Sequence, residues 1–479
     1  MDKPNIIVIL SDQLRAQDVG VYGNSTIRTP NIDRLASTGA AFEHAVSNTP
    51  VCVPARSSLL SGQYSRTCTG SLANAAPWWP LNHNRVRLLD PTLPEMLRYS
   101  GYETAVIGKW HVDPAPHLVG FNYSLVPTVL GSFASFSENA GPPHRAYLFA
   151  QDYELRKLRE YLGSRSSTRP FFLYYNINSP HMPLMNVPLK YQRMYDRKEV
   201  VLRDNVWLDG ELPYDRLWFH TYLWEHLYVA GEYEPVLDKL PDGFDLRDLT
   251  ALYWGSVSWV DDIVGAVVET LEEQGLRDDT LVVFASDHGD NLGSHHVWNK
   301  DRFWEESVRI PLVFNWPGEI RPQMIRTQQA QIIDLMPTLL DVCGIAAPKH
   351  VQGRSLVSVL AGKAERLENP YAFIETVLGE TAVRTVRHKY AVRRSPKEFG
   401  GIPDWLASVY DEKDTFLFDL VNDPYEQDNL AGDPEHEEIQ SELHEALVSW
   451  DDSTPWLDAG NREAKPHERT GEKGLFPRE

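Results

Sequence analysis

The run Asn5-Ile6-Ile7-Val8-Ile9-Leu10 has no polar face. A short β-branched strand of this kind must be covered on both sides, which points to the interior of a largely parallel sheet sandwiched by helices. Ser11-Asp12-Gln13 follows at once. The same grammar recurs where Leu281 to Ala285 leads into Ser286-Asp287-His288-Gly289, where Thr104 to Ile107 enters Gly108-Lys109-Trp110-His111, and where Phe171 to Tyr175 leads to Ser179-Pro180-His181. In open α/β sheets the ligand crevice lies outside the carboxyl ends of the strands, so these four separated polar clusters are expected to converge.

The intervening segments read as helices. Thr29 offers a capping hydroxyl, Pro30 a first helical position and Gly39 a stop, and a long amphipathic stretch runs from about Leu246 to Gln274. From about Tyr371 the pattern changes to short strands around 371–374, 381–392 and 416–420, followed by a helix over 434–449. The expected architecture is a large mixed, mostly parallel sheet flanked by helices over residues 1–370, with a smaller antiparallel α+β unit over 371–459 and a charged tail over 460–479. An aromatic-rich stretch, 182–245, with Trp207, Trp218, Tyr222, Trp224 and Tyr228, reads as an insertion or lid.

The 479 residues carry a formal charge of −21, which opposes general attraction to nucleic acid or anionic membranes, so an anionic ligand needs a local basic site. No apolar run reaches the length of a membrane span and the start lacks a signal-peptide pattern, so the expected location is cytoplasmic. Cys52, Cys68 and Cys343 have no paired spacing, which argues against a disulfide framework or zinc cluster; Cys68 and Cys343 read as inert.

Asp12, Gln13, Asp287 and His288 together offer two carboxylates, an amide oxygen and an imidazole. This oxygen-dominated set suits one hard divalent cation, Ca²⁺, Mg²⁺ or Mn²⁺, with the imidazole tilting toward Mn²⁺. The competing reading makes each Asp a helix cap. Cys52 opens a predicted helix with Arg56 one turn on, a setting that favours negative charge on the thiol; the competing reading is a small buried hydrophobe.

Cys52-Val53-Pro54-Ala55-Arg56, continuing to Gly62, resembles the sulfatase signature, and Gly101-Tyr102-Glu103-Thr104-Ala105-Val106-Ile107-Gly108-Lys109-Trp110-His111 resembles the second signature of that family. Thr29 to Ala41, Ser286 to Lys300, and Phe418 through Pro424 to Leu430 are similar to sulfatases at matching chain positions. The resemblance implies oxidation of Cys52 to formylglycine by a maturation enzyme, its hydrate being the nucleophile. It also implies one cation, Ca²⁺ foremost with Mn²⁺ or Mg²⁺ as alternatives, held by Asp12, Gln13, residue 52, Asp287 and His288. Arg56 would steady the hydrate, Lys109 would contact hydrate and sulfate, and His111 would take a proton as sulfate is released. His181 and Lys300 would bind the ester oxygen and assist leaving-group protonation.

His295 is expected to support the metal side, with His296 and Trp298 at the rim. Trp78, Trp79, His83, Asn84 and Arg85 are candidates for the pocket wall. Gln13 stands where many sulfatases have Asp and His288 where many have Asn, as in the choline-sulfatase and phosphonate monoester hydrolase branches of the alkaline phosphatase superfamily. Val53 and Ser61 also depart slightly from the pattern. The leading expectation is hydrolysis of a sulfate monoester of a carbohydrate or small alcohol, with aryl sulfates as artificial substrates. A phosphonate monoester or phosphodiester hydrolase and a silent binding protein on the same fold are the alternatives; a homo-oligomer is compatible with either.

Overall fold

The computed structural model describes residues 3–74, 84–126, 150–165, 168–185, 187–206, 222–223, 243–393 and 414–457. Its centre is an eight-stranded sheet of order β4-β3-β5-β1-β6-β7-β2-β8. In chain order these are β1 (Asn5–Asp12), β2 (Ala40–Val46), β3 (Glu103–Gly108), β4 (Tyr123–Leu125), β5 (Phe171–Pro180), β6 (Thr280–Ser286), β7 (Leu312–Asn315) and β8 (Gln323–Gln331). Only β7 runs antiparallel to its neighbours, β6 and β2.

The all-apolar composition of β1 has the expected physical cause. Ile6, Val8 and Leu10 face one core with Ala55, Leu59 and Leu60 of the Cys52–Ser61 helix, while Ile7 and Ile9 face a second core with Leu249, Tyr253, Val260 and Val264 of the Leu246–Glu273 helix. Alternate side chains of one strand therefore feed two hydrophobic layers. The long helix is capped by Asp245, whose carboxylate accepts from Arg247 N–H at 2.8 Å.

A second sheet, order β12-β11-β10-β9, is antiparallel throughout and comprises β9 (Ala372–Glu375), β10 (Glu380–Arg384), β11 (His388–Arg393) and β12 (Asp414–Asp419). Leu443, Leu447 and Trp450 of the Glu437–Ser453 helix cover it, and they join the same apolar core as β1. Among the described residues no helix is long and apolar enough to cross a membrane.

Several details differ from the sequence reading. The Thr29 hydroxyl donates to Asp33 instead of capping its helix; Asp261 of the long helix accepts from Asn31 and Ile32 N–H, at 3.2 and 2.7 Å, and serves that end from across the core. β5 continues five residues beyond Tyr175 because Asn176 and Ile177 still pair with β1. Arg85, a candidate for the pocket wall, is tied instead to Glu95 by Nη1–Oε1 and Nη2–Oε2 contacts of 2.5 and 2.9 Å. Trp78, Trp79, His83, Trp207, Trp218, Trp224, Tyr228 and the 460–479 tail lie outside the described residues.

Candidate active site

Strand register assembles the site. β1 lies between β5 and β6 with Ser11 opposite Ser286, so Asp12 at the end of β1 and Asp287 just past β6 stand side by side. β3 borders β5 with Gly108 opposite Asn176, and Lys109 N–H donates to the Asn176 carbonyl at 3.0 Å. Gly108 has φ +91° and a Cβ there would sit 2.1 Å from that carbonyl, so this approach requires glycine. His181, just after β5, donates its N–H to the Asp12 carbonyl at 3.1 Å. The four strand ends predicted from sequence therefore do meet.

Cys52 is the first residue of its helix and fully buried, and Val53 N–H donates to Asn74 Oδ1 at 3.0 Å. Around its Sγ lie Lys300 Nζ at 3.0 Å, His288 Nε2 at 3.3 Å, Asp12 Oδ1 at 3.7 Å and Lys109 Nζ at 4.0 Å. Arg56, one turn along the helix, spans both carboxylates, with Nη2 2.7 Å from Asp12 Oδ2 and Nε 2.9 Å from Asp287 Oδ2. Its Nη1 donates to Asn176 Oδ1 at 3.0 Å. Arg56 thus takes the Oδ2 atoms and leaves Asp12 Oδ1 toward residue 52, while Asp287 Oδ1 accepts from Gln13 and His288 N–H at 3.1 and 2.9 Å.

Asp12, Cys52, Asp287 and His288 present ligand atoms all within 4.8 Å of one another. His288 Nδ1 is 2.9 Å from the Gly289 carbonyl; the donated proton fixes the tautomer and leaves a lone pair on Nε2, toward Cys52. The Gln13 side chain is held by Nε2 contacts to Asp290 Oδ2 at 2.6 Å and Asn299 Oδ1 at 2.9 Å, which aim Oε1 at Lys300 Nζ, 3.2 Å away. Donor type, burial and convergence fit one divalent cation in an oxygen-rich site with a single imidazole.

Electrostatics prepare these groups unequally. Burial alone would raise the Asp12 carboxyl, yet the cations Lys109, Arg56 and Lys300 hold it well below the usual range. Burial, then Lys109, pushes His111 and His181 well below an ordinary imidazole, so both are neutral bases. His181 Nδ1 lies 2.6 Å from the Met182 carbonyl, which fixes the proton there and leaves Nε2 as the acceptor. Burial pushes Lys300 down, and only where the sulfur beside it carries negative charge do Cys52 and then Asp12 hold the ammonium above its usual range.

The thiol itself behaves differently from the sequence expectation. Burial and then Asp12 raise the Cys52 pKa, because Arg56 is spent on the two carboxylates. An unmodified Cys52 is a protonated thiol, not a ready thiolate. Cys343 accepts from Tyr102 Oη at 3.0 Å, and burial pushes its thiol up to about 11, in keeping with an inert residue.

His295 stacks on Trp304 at 3.9 Å with its Nε2 3.0 Å from Asn205 Nδ2; Trp298 packs on Tyr222 and His296 is exposed. Asn176, Asp290 and Asn299 were missed from sequence. Their signal was faint: a polar residue inside an apolar strand, and polar residues beside already suspected ones.

The sulfatase family profile matches residues 4–345, and the profile of the C-terminal part of N-sulphoglucosamine sulphohydrolase matches residues 293–453. The chain is 28% identical over 471 residues to the ulvan-active sulfatase of Formosa agariphila, covering 93% of this chain and 80% of the relative. In fold it is similar to a structure solved with its substrate D-glucosamine-2-N,6-O-disulfate, with TM-score 0.73, 22% identity, and coverage of 95% and 99%. It is also similar to the phosphonate monoester hydrolase of Agrobacterium radiobacter, with TM-score 0.71, 22% identity, and coverage of 96% and 97%.

Proposed function

Since this chain belongs to the sulfatase family and is a sulfuric ester hydrolase, we propose that it cleaves sulfate monoesters of carbohydrates using residue 52, oxidised from cysteine to formylglycine, as the nucleophile. The observation that carries this reading is the convergence on residue 52 of two lysines, a neutral imidazole and two carboxylates bridged by one arginine. Asp12, Gln13, Asp287, His288 and residue 52 would hold one divalent cation, Ca²⁺ foremost, which when bound neutralises charge on the ester and acidifies the attacking hydroxyl. The carbohydrate class is supported by the names of the similar proteins.

The chain's own groups divide the work. Arg56 fixes the orientation of both carboxylates and so the position of residue 52. Lys109 and Lys300 offer positive charge to the anionic ester beside that residue, in a chain whose overall charge would repel it. Lys300 gives a proton to the leaving oxygen, which keeps the S–O bonding pair; His181, its Nδ1 proton held at the Met182 carbonyl, assists there only when Nε2 has first taken a proton. His111, neutral by burial, takes a proton in the step that frees sulfate.

The phosphonate reading rests on Gln13 and His288 as donors and on the second of the two fold neighbours. Both ester types are tetrahedral monoanions. Parallel kcat/KM measurements on 4-nitrophenyl sulfate and 4-nitrophenyl phenylphosphonate decide between them. Preference for the sulfate is expected, and preference for the phosphonate would replace the proposed substrate.

A further inference from the structure

Lys300 reaches residue 52 from a loop whose tip is closed on itself, with Asn291 N–H donating to the Asn299 carbonyl at 2.7 Å and Gly293 N–H to the Val297 carbonyl at 3.0 Å. Leu292, His295, His296, Asn299 and Asp301 all take positive φ, between 44° and 69°. Such non-glycine residues are strained and persist where the surroundings impose the conformation. The front of the loop is held by Leu292 N–H donating to Asp290 Oδ1 at 2.8 Å, by Asn299 N–H donating to Tyr222 Oη at 2.6 Å, and by Asp301 N–H donating to the Pro50 carbonyl at 3.1 Å.

The exit is fixed by the other sheet. Phe303 N–H donates to Glu380 Oε2 of β10 at 3.2 Å, and the Phe303 carbonyl accepts from Lys389 Nζ of β11 at 2.7 Å. Glu305 N–H donates to Oε2 of Glu426, in the turn after β12, at 2.7 Å. Lys389 Nζ also meets Glu305 Oε1 at 3.1 Å and Glu426 Oε1 at 2.6 Å, all of it buried. Both backbone groups of Phe303, three residues from Lys300, are thus satisfied by charged side chains of the C-terminal sheet.

We infer that the C-terminal sheet is a buttress for leaving-group protonation, with Lys389 and Glu426 as positioning residues that set where Lys300 stands; this rests on the role given to Lys300 above. As the S–O bond breaks, the leaving oxygen keeps the electron pair and receives a proton from Lys300 Nζ. A displaced ammonium delivers that proton poorly, and the penalty falls on poor leaving groups. A good leaving group departs without it. A misplacement of about 1 Å can cost up to about 100-fold where transfer geometry limits the rate.

The test compares phenyl sulfate, whose phenolate needs the proton, with 4-nitrophenyl sulfate, whose phenolate does not. Proteins are Lys389→Met, the double variant Lys389→Met/Glu426→Gln, and Lys300→Ala, each checked by thermal melting. The double variant removes both partners of a buried pair and keeps the question open if the single variant does not fold. The expected result is a fall in kcat of about 10-fold or more on phenyl sulfate against less than about 2-fold on 4-nitrophenyl sulfate, with Lys300→Ala showing the same discrimination. Equal losses on both esters in a folded buttress variant, while Lys300→Ala discriminates, would overturn the buttress and leave the role of Lys300 intact. No discrimination in Lys300→Ala itself would remove that role, and the buttress with it.

Discussion

Two buried clusters of charge lie at the two ends of the 287–306 segment, and they differ in what their charges face. At the exit, Glu305, Glu306 and Glu426 meet Arg384, Arg203 and Lys389 as paired ions. His295, Glu306 and Glu426 even bring ligand atoms within 4.8 Å of one another, but Arg203 and Lys389 already supply the positive charge there. At the strand ends, two carboxylates meet three cations, Arg56, Lys109 and Lys300, and the surplus positive charge and free lone pairs turn toward residue 52. Burial of charge is common to both. Convergence on one atom is what separates a reactive site from a brace.

Substitutions should break this contrast in order of size. Cys52→Ala removes the point on which the site cluster converges: turnover of 4-nitrophenyl sulfate should fall by about 10⁴-fold or more while the melting temperature changes little, as a small buried side chain is replaced by a smaller one. Arg56→Ala strips two buried carboxylates of their shared partner. It should cost about 3–5 kcal/mol in denaturant unfolding and abolish activity as well.

The pH profile sharpens the contrast further. Burial and Lys109 depress the His111 pKa, so the neutral base persists to lower pH than an ordinary imidazole. Where release of sulfate limits turnover, kcat should therefore stay level as pH falls through about 6.5 and decline only below that; a decline centred there would show that His111 is not the limiting base. Arg85→Ala, which breaks a partly exposed pair with Glu95 outside both clusters, should cost no more than about 1 kcal/mol and leave kcat unchanged.

Much of this was legible in the sequence because parallel strands are written as apolar runs whose polar sequels mark the crevice. Asp12, Lys109, His181 and Asp287 each follow such a run, and the sheet brings them together. The rest depends on distant partners. The charge state of Cys52 could not be read from its helix, because Arg56 is committed to carboxylates 44 and 231 positions away. Arg85 looked available because nothing local shows that Glu95 folds back onto it. The hold of Lys389 and Glu426 on Phe303 and Glu305 spans 86 and 121 positions and leaves no periodic trace.

The central claim is tested most directly by the mass of the peptide spanning residue 52, taken from protein that turns over 4-nitrophenyl sulfate after coexpression with a formylglycine-generating enzyme. The account predicts a side chain changed from CH₂SH to CHO in the active fraction. Full activity from protein whose residue 52 is wholly unmodified cysteine would contradict it.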